Sequence, residues 1–259
     1  MILSSMAALF VGLSSPLAHA GVAVNNFNLG ARALGPLAGA VPLRIMPLGA
    51  SITYGQASSD GNGYRGSLRD QLTSAGNVVN MVGSRQHGTM KDNDVEGWPG
   101  FRIDQVQAKA RDSVPKFKPN VFLINVGTND ALQNRNVSTA GERMEALIGD
   151  LYSMSPRATI VLSTLIVNKN PQVERSVQAI NTQLVALVPK LRQAGRRIIL
   201  VDMHADNGPL LEDLADETHP NDVGYRKMAN IWYAGLNSVG NLGWLQAAEP
   251  VAGLPDNGS

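Results

Sequence analysis

The 259-residue chain contains no cysteine. Disulfide staples and thiolate metal ligands are thereby excluded, and a domain of this size does not need staples because its core suffices. An excess of charge of one sign is also missing. Lys plus Arg number 22 against 21 Asp plus Glu, so the formal charge of +1 provides no basic field for a nucleic acid or an anionic membrane. There is no His-Glu-x-x-His run, which together with the missing thiolates argues against a metal centre. No metal and no cofactor is expected. A hydrophobic run long enough to span a membrane is absent too: Met1 to Ala20 is apolar but short and broken by serines. That stretch ends Ala18-His19-Ala20, a small-x-small pattern suited to signal peptidase, although it carries no Lys or Arg at its start. It is expected to be a signal peptide, and the protein to be secreted.

What is present fits one sizeable α/β domain, with 44% hydrophobic and 17% charged residues. Gly21 to Val41 has no sustained period and reads as a leader, with the domain spanning 43–240 and a tail over 241–259. Five short apolar runs read as strands: Leu43 to Leu48, Val78 to Val82, Val121 to Val126, Thr159 to Leu162 and Arg197 to Val201. Their near-continuous apolar character predicts burial on both faces. Helical spacing occupies Tyr64 to Ala75, Ile103 to Ser113, Ser138 to Met154, Val173 to Ala194 and Asn221 to Leu236. Such alternation predicts a five-stranded parallel sheet covered by helices on both sides, with ligands bound at the carboxyl ends of the strands.

Four polar stations fall at those ends. Ser51 follows the first strand in Gly49-Ala50-Ser51. After the second strand comes Glu96-Gly97-Trp98-Pro99-Gly100-Phe101, whose glycines let backbone N–H groups approach a ligand closely. Gly127-Thr128-Asn129-Asp130 follows the third, and Asp216-Glu217-Thr218-His219 follows the fifth. These are the parts of an acyl-transfer site. A serine hydroxyl needs a base to take its proton, His219 is placed to do so, and Asp216 three residues earlier can orient the imidazole. The Ser51 N–H, the Gly100 N–H and the Asn129 amide are candidate donors for an oxyanion.

Taken in that order, the four blocks resemble those of the SGNH (GDSL-like) hydrolase superfamily. The longer matches Ile45-Met46-Pro47-Leu48-Gly49, Glu96 to Phe101 and Asn221 to Ala229 look like carbohydrate esterase family 3. The resemblance covers about Leu43 to Leu236. It implies a flavodoxin-like three-layer α/β/α sandwich and metal-free esterase chemistry on acylated carbohydrate, as in the acetylxylan esterases. By position it implies Ser51 as nucleophile, His219 as base, Asp216 as orienting acid, and Ser51, Gly100 and Asn129 as the oxyanion hole. Ala50 departs from the aspartate usual in the superfamily, and Val95 stands where relatives often have histidine. A monomer acting on an ester substrate is expected.

Rival readings come from the same residues. His204 also follows the fifth strand but lacks the Asp-x-x-His spacing, and His87 has no partner spacing. Gly61-Asn62-Gly63-Tyr64-Arg65-Gly66 fits a dinucleotide-binding fingerprint, yet it begins ten residues past Ser51, and no acid closes the second strand. Trp98 and Phe101 can stack on a sugar or pack their loop, and both readings stay open. Asn168 is either a cleft-lining residue or a solvated turn. At the level of function, the alternatives are an esterase or lipase for small-molecule or lipid esters, and a non-catalytic carbohydrate-binding domain.

Overall fold

A computed structural model describes residues 36, 37 and 41–254. The expected signal peptide over 1–20, nearly all of the leader and the end of the tail lie outside the described residues. The first strand, β1 (Leu43–Gly49), is apolar apart from Arg44 and is buried along its whole length, as a near-continuous apolar run requires. It is followed by the single turn α1 (Ser51–Tyr54), then α2 (Tyr64–Ser74), β2 (Val79–Met81), β3 (Arg85–Gln86), β4 (Asp94–Gly97) and α3 (Ile103–Phe117). The second half runs β5 (Val121–Asn125), α4 (Thr128–Leu132), α5 (Ala140–Met154), β6 (Thr159–Ser163), α6 (Pro171–Gln193), β7 (Ile198–Val201) and α7 (Asp222–Asn241).

All five expected strands form, in the parallel order β2-β1-β5-β6-β7. The strand count is corrected from five to seven. Leu48 and Gly49 of β1 pair in parallel with Glu96 and Gly97, and β3 returns antiparallel to β4. Asp94 to Gly97 reads as loop in the sequence because a glutamate sits in it. In the fold Glu96 is fully buried, and its carboxylate accepts from the Ser84 N–H at 2.8 Å, the Ser84 hydroxyl at 3.0 Å and Trp98 Nε1 at 2.7 Å.

Side chains alternate across the sheet. Phe122 and Ile124 join α3, α5 and α6 in one hydrophobic cluster, whereas Val121 and Leu123 join α2 and α7 in the other. The result is the expected three-layer sandwich. Helix α3 runs on to Phe117 with Pro115 inside it, four residues beyond the expected end. The segment after α7 has no regular structure but is fastened beneath the sheet. The Trp244, Gln246 and Glu249 carbonyls accept from Thr159 Oγ1, Asn120 Nδ2 and Arg44 Nη1 at 2.8, 2.7 and 2.8 Å, at the starting ends of β6, β5 and β1. No helix among the described residues is long and apolar enough to cross a membrane.

Candidate active site

The carboxyl end of β1 turns into α1 through Gly49, where no side chain fits: a Cβ there would lie 2.2 Å from the Asn125 carbonyl oxygen and 2.2 Å from Thr53 Oγ1. Ser51 is therefore presented at a fixed height above the sheet, 8% exposed, as the first residue of α1. Its N–H, at the first helical position, has no acceptor within the helix. Next to it, β4 ends at Gly97, packed so tightly that a Cβ would meet Tyr54 N at 2.7 Å. The Trp98 N–H then bonds the Gly49 carbonyl at 3.0 Å, tying the two strand ends together.

Gly100 lies two residues further on with φ +82°, a left-handed conformation that favours glycine, and a Cβ there would meet nothing within 4 Å. From the β5 end, Asn129 in α4 is 7% exposed and donates from Nδ2 to the Phe101 carbonyl at 3.0 Å; the same nitrogen carries a second N–H. Asp130 beside it is fully buried, accepts the Ile103 N–H at 3.2 Å and pairs with Arg143. Burial drives the Asp130 carboxyl above the usual carboxylate range, and the Arg143 guanidinium and the Ile103 N–H only partly oppose it.

His219 reaches this site from the turn before α7. Nε2 lies 2.9 Å from Ser51 Oγ, and Nδ1 lies 2.7 Å from Asp216 Oδ2. A carboxylate can only accept, so Nδ1 carries the proton and Nε2 accepts from the serine hydroxyl. The other Asp216 oxygen accepts the N–H groups of Thr218 and His219, both at 2.7 Å. Burial opposes ionisation of Asp216, but the His219 N–H, its imidazole and the Thr218 N–H outweigh it and hold the carboxyl below the usual range. Asn221 caps α7 by accepting the Val223 and Gly224 N–H groups at 2.9 and 3.1 Å, which fixes where the helix begins.

Ser51, His219 and Asp216 are thus joined in one hydrogen-bonded line, and the loops bearing Gly100 and Asn129 are joined to each other. The remaining sequence candidates surround this line or lie apart from it. Asn168 is 4% exposed, neither solvated nor open: its Nδ2 donates to Thr218 Oγ1 at 3.0 Å and its Oδ1 accepts the Asn170 N–H at 2.9 Å, steadying the turn that carries His219. The Trp98 ring stacks on Phe101 with centroids 5.5 Å apart, and Phe101 packs against the core. His204 bonds Glu174 Oε1 at 3.1 Å and the Leu165 carbonyl at 3.2 Å, not Ser51. His87 Nδ1 lies 2.9 Å from both the Tyr54 and Gly61 carbonyls.

The glycine-rich fingerprint also resolves into packing. A Cβ on Gly63 would meet Gly55 Cα at 2.7 Å, and one on Gly61 would meet Gly88 Cα at 2.9 Å. Arg65, missed in the sequence, is fully buried there and donates to the carbonyls of Tyr54, Gly61, His87 and Asn93 at 3.1, 3.1, 2.8 and 3.2 Å. It clamps the loop after α1 to the loop between β3 and β4. Only its position within a helical pattern is visible in the sequence, and that carries no signal for such a role. Among the described residues, no group of three or more His, Asp or Glu side chains is arranged to hold a metal ion.

Comparison with known proteins places this geometry in a family. A multidomain esterase of Ruminococcus flavefaciens is 28% identical over 238 residues, which is 80% of this chain but 29% of that protein's length. A family 3 carbohydrate esterase from Clostridium thermocellum superposes with a TM-score of 0.67 at 26% identity, over 78% of this chain and 98% of its own. A carbohydrate esterase family 3 structure from Talaromyces cellulolyticus has the same fold, with a TM-score of 0.68 at 22% identity over 77% of this chain and 98% of its own. The description "GDSL-like Lipase/Acylhydrolase family" matches residues 48–227, which take in Ser51, Gly100, Asn129, Asp216 and His219 alike. The chain belongs to the GDSL-like lipase/acylhydrolase family.

Proposed function

We propose that this protein is a secreted serine esterase that removes short acyl groups, acetyl foremost, from a polysaccharide such as xylan. The observation that carries this reading is the line Asp216–His219–Ser51, with bonds of 2.7 and 2.9 Å. In the mechanism, His219 Nε2 takes the proton of the Ser51 hydroxyl as Oγ attacks the acyl carbonyl. The tetrahedral oxyanion is met by the Ser51 N–H, the Gly100 N–H and the free N–H of Asn129. Collapse expels the sugar hydroxyl, which leaves with the proton held by His219. Water then attacks the acyl-enzyme, giving its proton to His219 and releasing acetate as that proton returns to Ser51. Asp216 keeps the imidazole in the required tautomer and balances the charge it gains.

The sugar substrate is supported by the names of the relatives, both esterases and one a carbohydrate esterase at 26% identity. It is also supported by the openness of the site. Asp216 is 51% exposed at its side chain and Gly100 borders open space, which suits a polymer lying across the strand ends better than a buried lipid chain. The Ala18-His19-Ala20 pattern supports secretion. The test is acetate release from acetylated xylan, compared with that from a short-chain aryl acetate. Turnover of both by wild type but not by Ser51→Ala is the expected result. Turnover of the aryl ester alone would retain the serine mechanism and overturn the polysaccharide substrate.

A further inference from the structure

Around Trp98, in the loop that leads to Gly100, the structure holds two cations in place with no described carboxylate paired to either. Arg85 Cζ lies 4.5 Å from the centre of the Tyr54 ring and 4.7 Å from that of Trp98, and Nη1 donates to the Gly97 carbonyl at 2.9 Å. The ring contacts and the single carbonyl fix the guanidinium plane. Its Nε and Nη2 groups bond no described residue and are not buried, and no described carboxylate pairs with it. Those two nitrogens form one edge of the guanidinium, the edge whose parallel N–H groups match the two oxygens of a carboxylate. Lys109 of α3 brings its Nζ to 4.5 Å from the centre of the same Trp98 ring, and it too has neither an ion pair nor a hydrogen bond to a described residue.

The acids nearby are spent elsewhere. Glu96 is buried under three donors from Ser84 and Trp98, and Asp104 lies 3.5 Å from Arg102 and 3.9 Å from Arg143. Asp94 accepts from Gln86 Nε2 at 2.9 Å. The location is equally specific. Tyr54 ends the helical turn that Ser51 begins, Trp98 is bonded to Gly49, and Gly100 follows two residues later. An anion on the free edge of Arg85 would therefore lie against the loop that runs from Trp98 to Gly100.

We infer that the free edge of Arg85, with Lys109 adding positive charge at the same indole, forms a subsite for a carboxylate on the sugar chain being deacylated, so that the substrate is an acylated acidic polysaccharide containing uronic acid residues. This rests on the esterase reading above and narrows it. Trp98 then serves as the shelf that holds both cations, with its indole N–H turned away to Glu96. Because the free edge of Arg85 reaches solvent, the preference it creates is sensitive to salt.

The test is the ratio of kcat/KM values for two small esters with the acetyl group on the same ring position, one a methyl glucuronoside and the other a methyl xyloside. At low ionic strength the wild type is expected to favour the acid by about tenfold, the worth of one charge-assisted contact, and to lose most of that preference at high salt. Arg85→Gln and Lys109→Gln are each expected to reduce the ratio several-fold. Lys109 makes no hydrogen bond or ion pair to a described residue, so its variant remains informative if loss of Arg85 disturbs β3. A wild-type ratio near one, or a ratio that neither variant changes, overturns the subsite while leaving the esterase reading standing. Absence of turnover of both glycosides and of an aryl acetate overturns the esterase reading, and the subsite with it.

Discussion

The Asn129 side-chain nitrogen donates to the Phe101 carbonyl oxygen at 3.0 Å, joining the residue after β5 to the loop after β4. One bond thus sets the amide and the Gly100 backbone in a common frame, and Asp130 repeats the tie by accepting the Ile103 N–H at 3.2 Å. Donors that must meet a charge only as it develops are effective when they are already in place, because no reorganisation is then required at the moment of reaction.

Replacing Asn129 by alanine is therefore expected to lower kcat by roughly 10² to 10³ with little change in KM, the usual cost of one lost oxyanion donor. Steady-state kinetics on an aryl acetate provides the check. A rise in KM with kcat intact would remove Asn129 from that role.

Ser51→Ala is expected to reduce kcat by more than about 10³-fold, since the acyl-enzyme can no longer form. Its fold should persist, because the hydroxyl's described partner is His219 Nε2, and one such bond is worth about 1 kcal/mol. Acetate release and thermal unfolding of the same preparation separate the two effects.

Asp216 links stability to pH. Its carboxyl titrates near pH ~3.9 in an unfolded chain and lower than that in the fold. Protonation is thus harder in the native state, and the stability contributed by Asp216 is fully present above the unfolded value and lost as pH falls through the folded one. The Tm difference between wild type and Asp216→Ala should shrink as the pH is lowered below about 4. A difference that grows in that acid range would contradict the depressed carboxyl.

Asp130→Ala should be the most destabilising of these changes. It leaves the Ile103 N–H without its acceptor and Arg143, 19% exposed at its side chain, with only the looser Asp104 carboxylate at 3.9 Å. Breaking a buried pair from one side costs about 3 to 5 kcal/mol, and the partial exposure of Arg143 points to about 3. Urea unfolding should register a lower midpoint at unchanged slope.

The sequence made the framework legible where the signal is local. Leu43 to Gly49 and Val121 to Asn125 announce themselves as doubly buried strands because apolar residues run through them almost without a break, Arg44 and the terminal Asn125 excepted, and the four polar stations follow from their places at strand ends. Strand β4 escaped because Glu96 looks like a loop residue until Ser84 and Trp98 enclose its carboxylate. Helical spacing is visible only to Ser113, whereas the helix continues to Phe117 and holds Pro115 within its last turn. The parts of the site that stayed hidden are contacts between loops. Asn168 meets Thr218 across 50 residues, and Arg65 gathers carbonyls from two separate loops, for which no spacing rule exists.

Asp216 and His219 share one short turn, closed by the two N–H bonds to a single carboxylate oxygen, whereas His219 meets Ser51 across 168 residues of chain. The acid–base contact is thus local in the chain, and the base–nucleophile contact is not. In a refolding experiment, regain of ester turnover would time the docking of this one turn onto the end of β1, making catalytic activity a clock for long-range closure of the chain rather than for the growth of its helices.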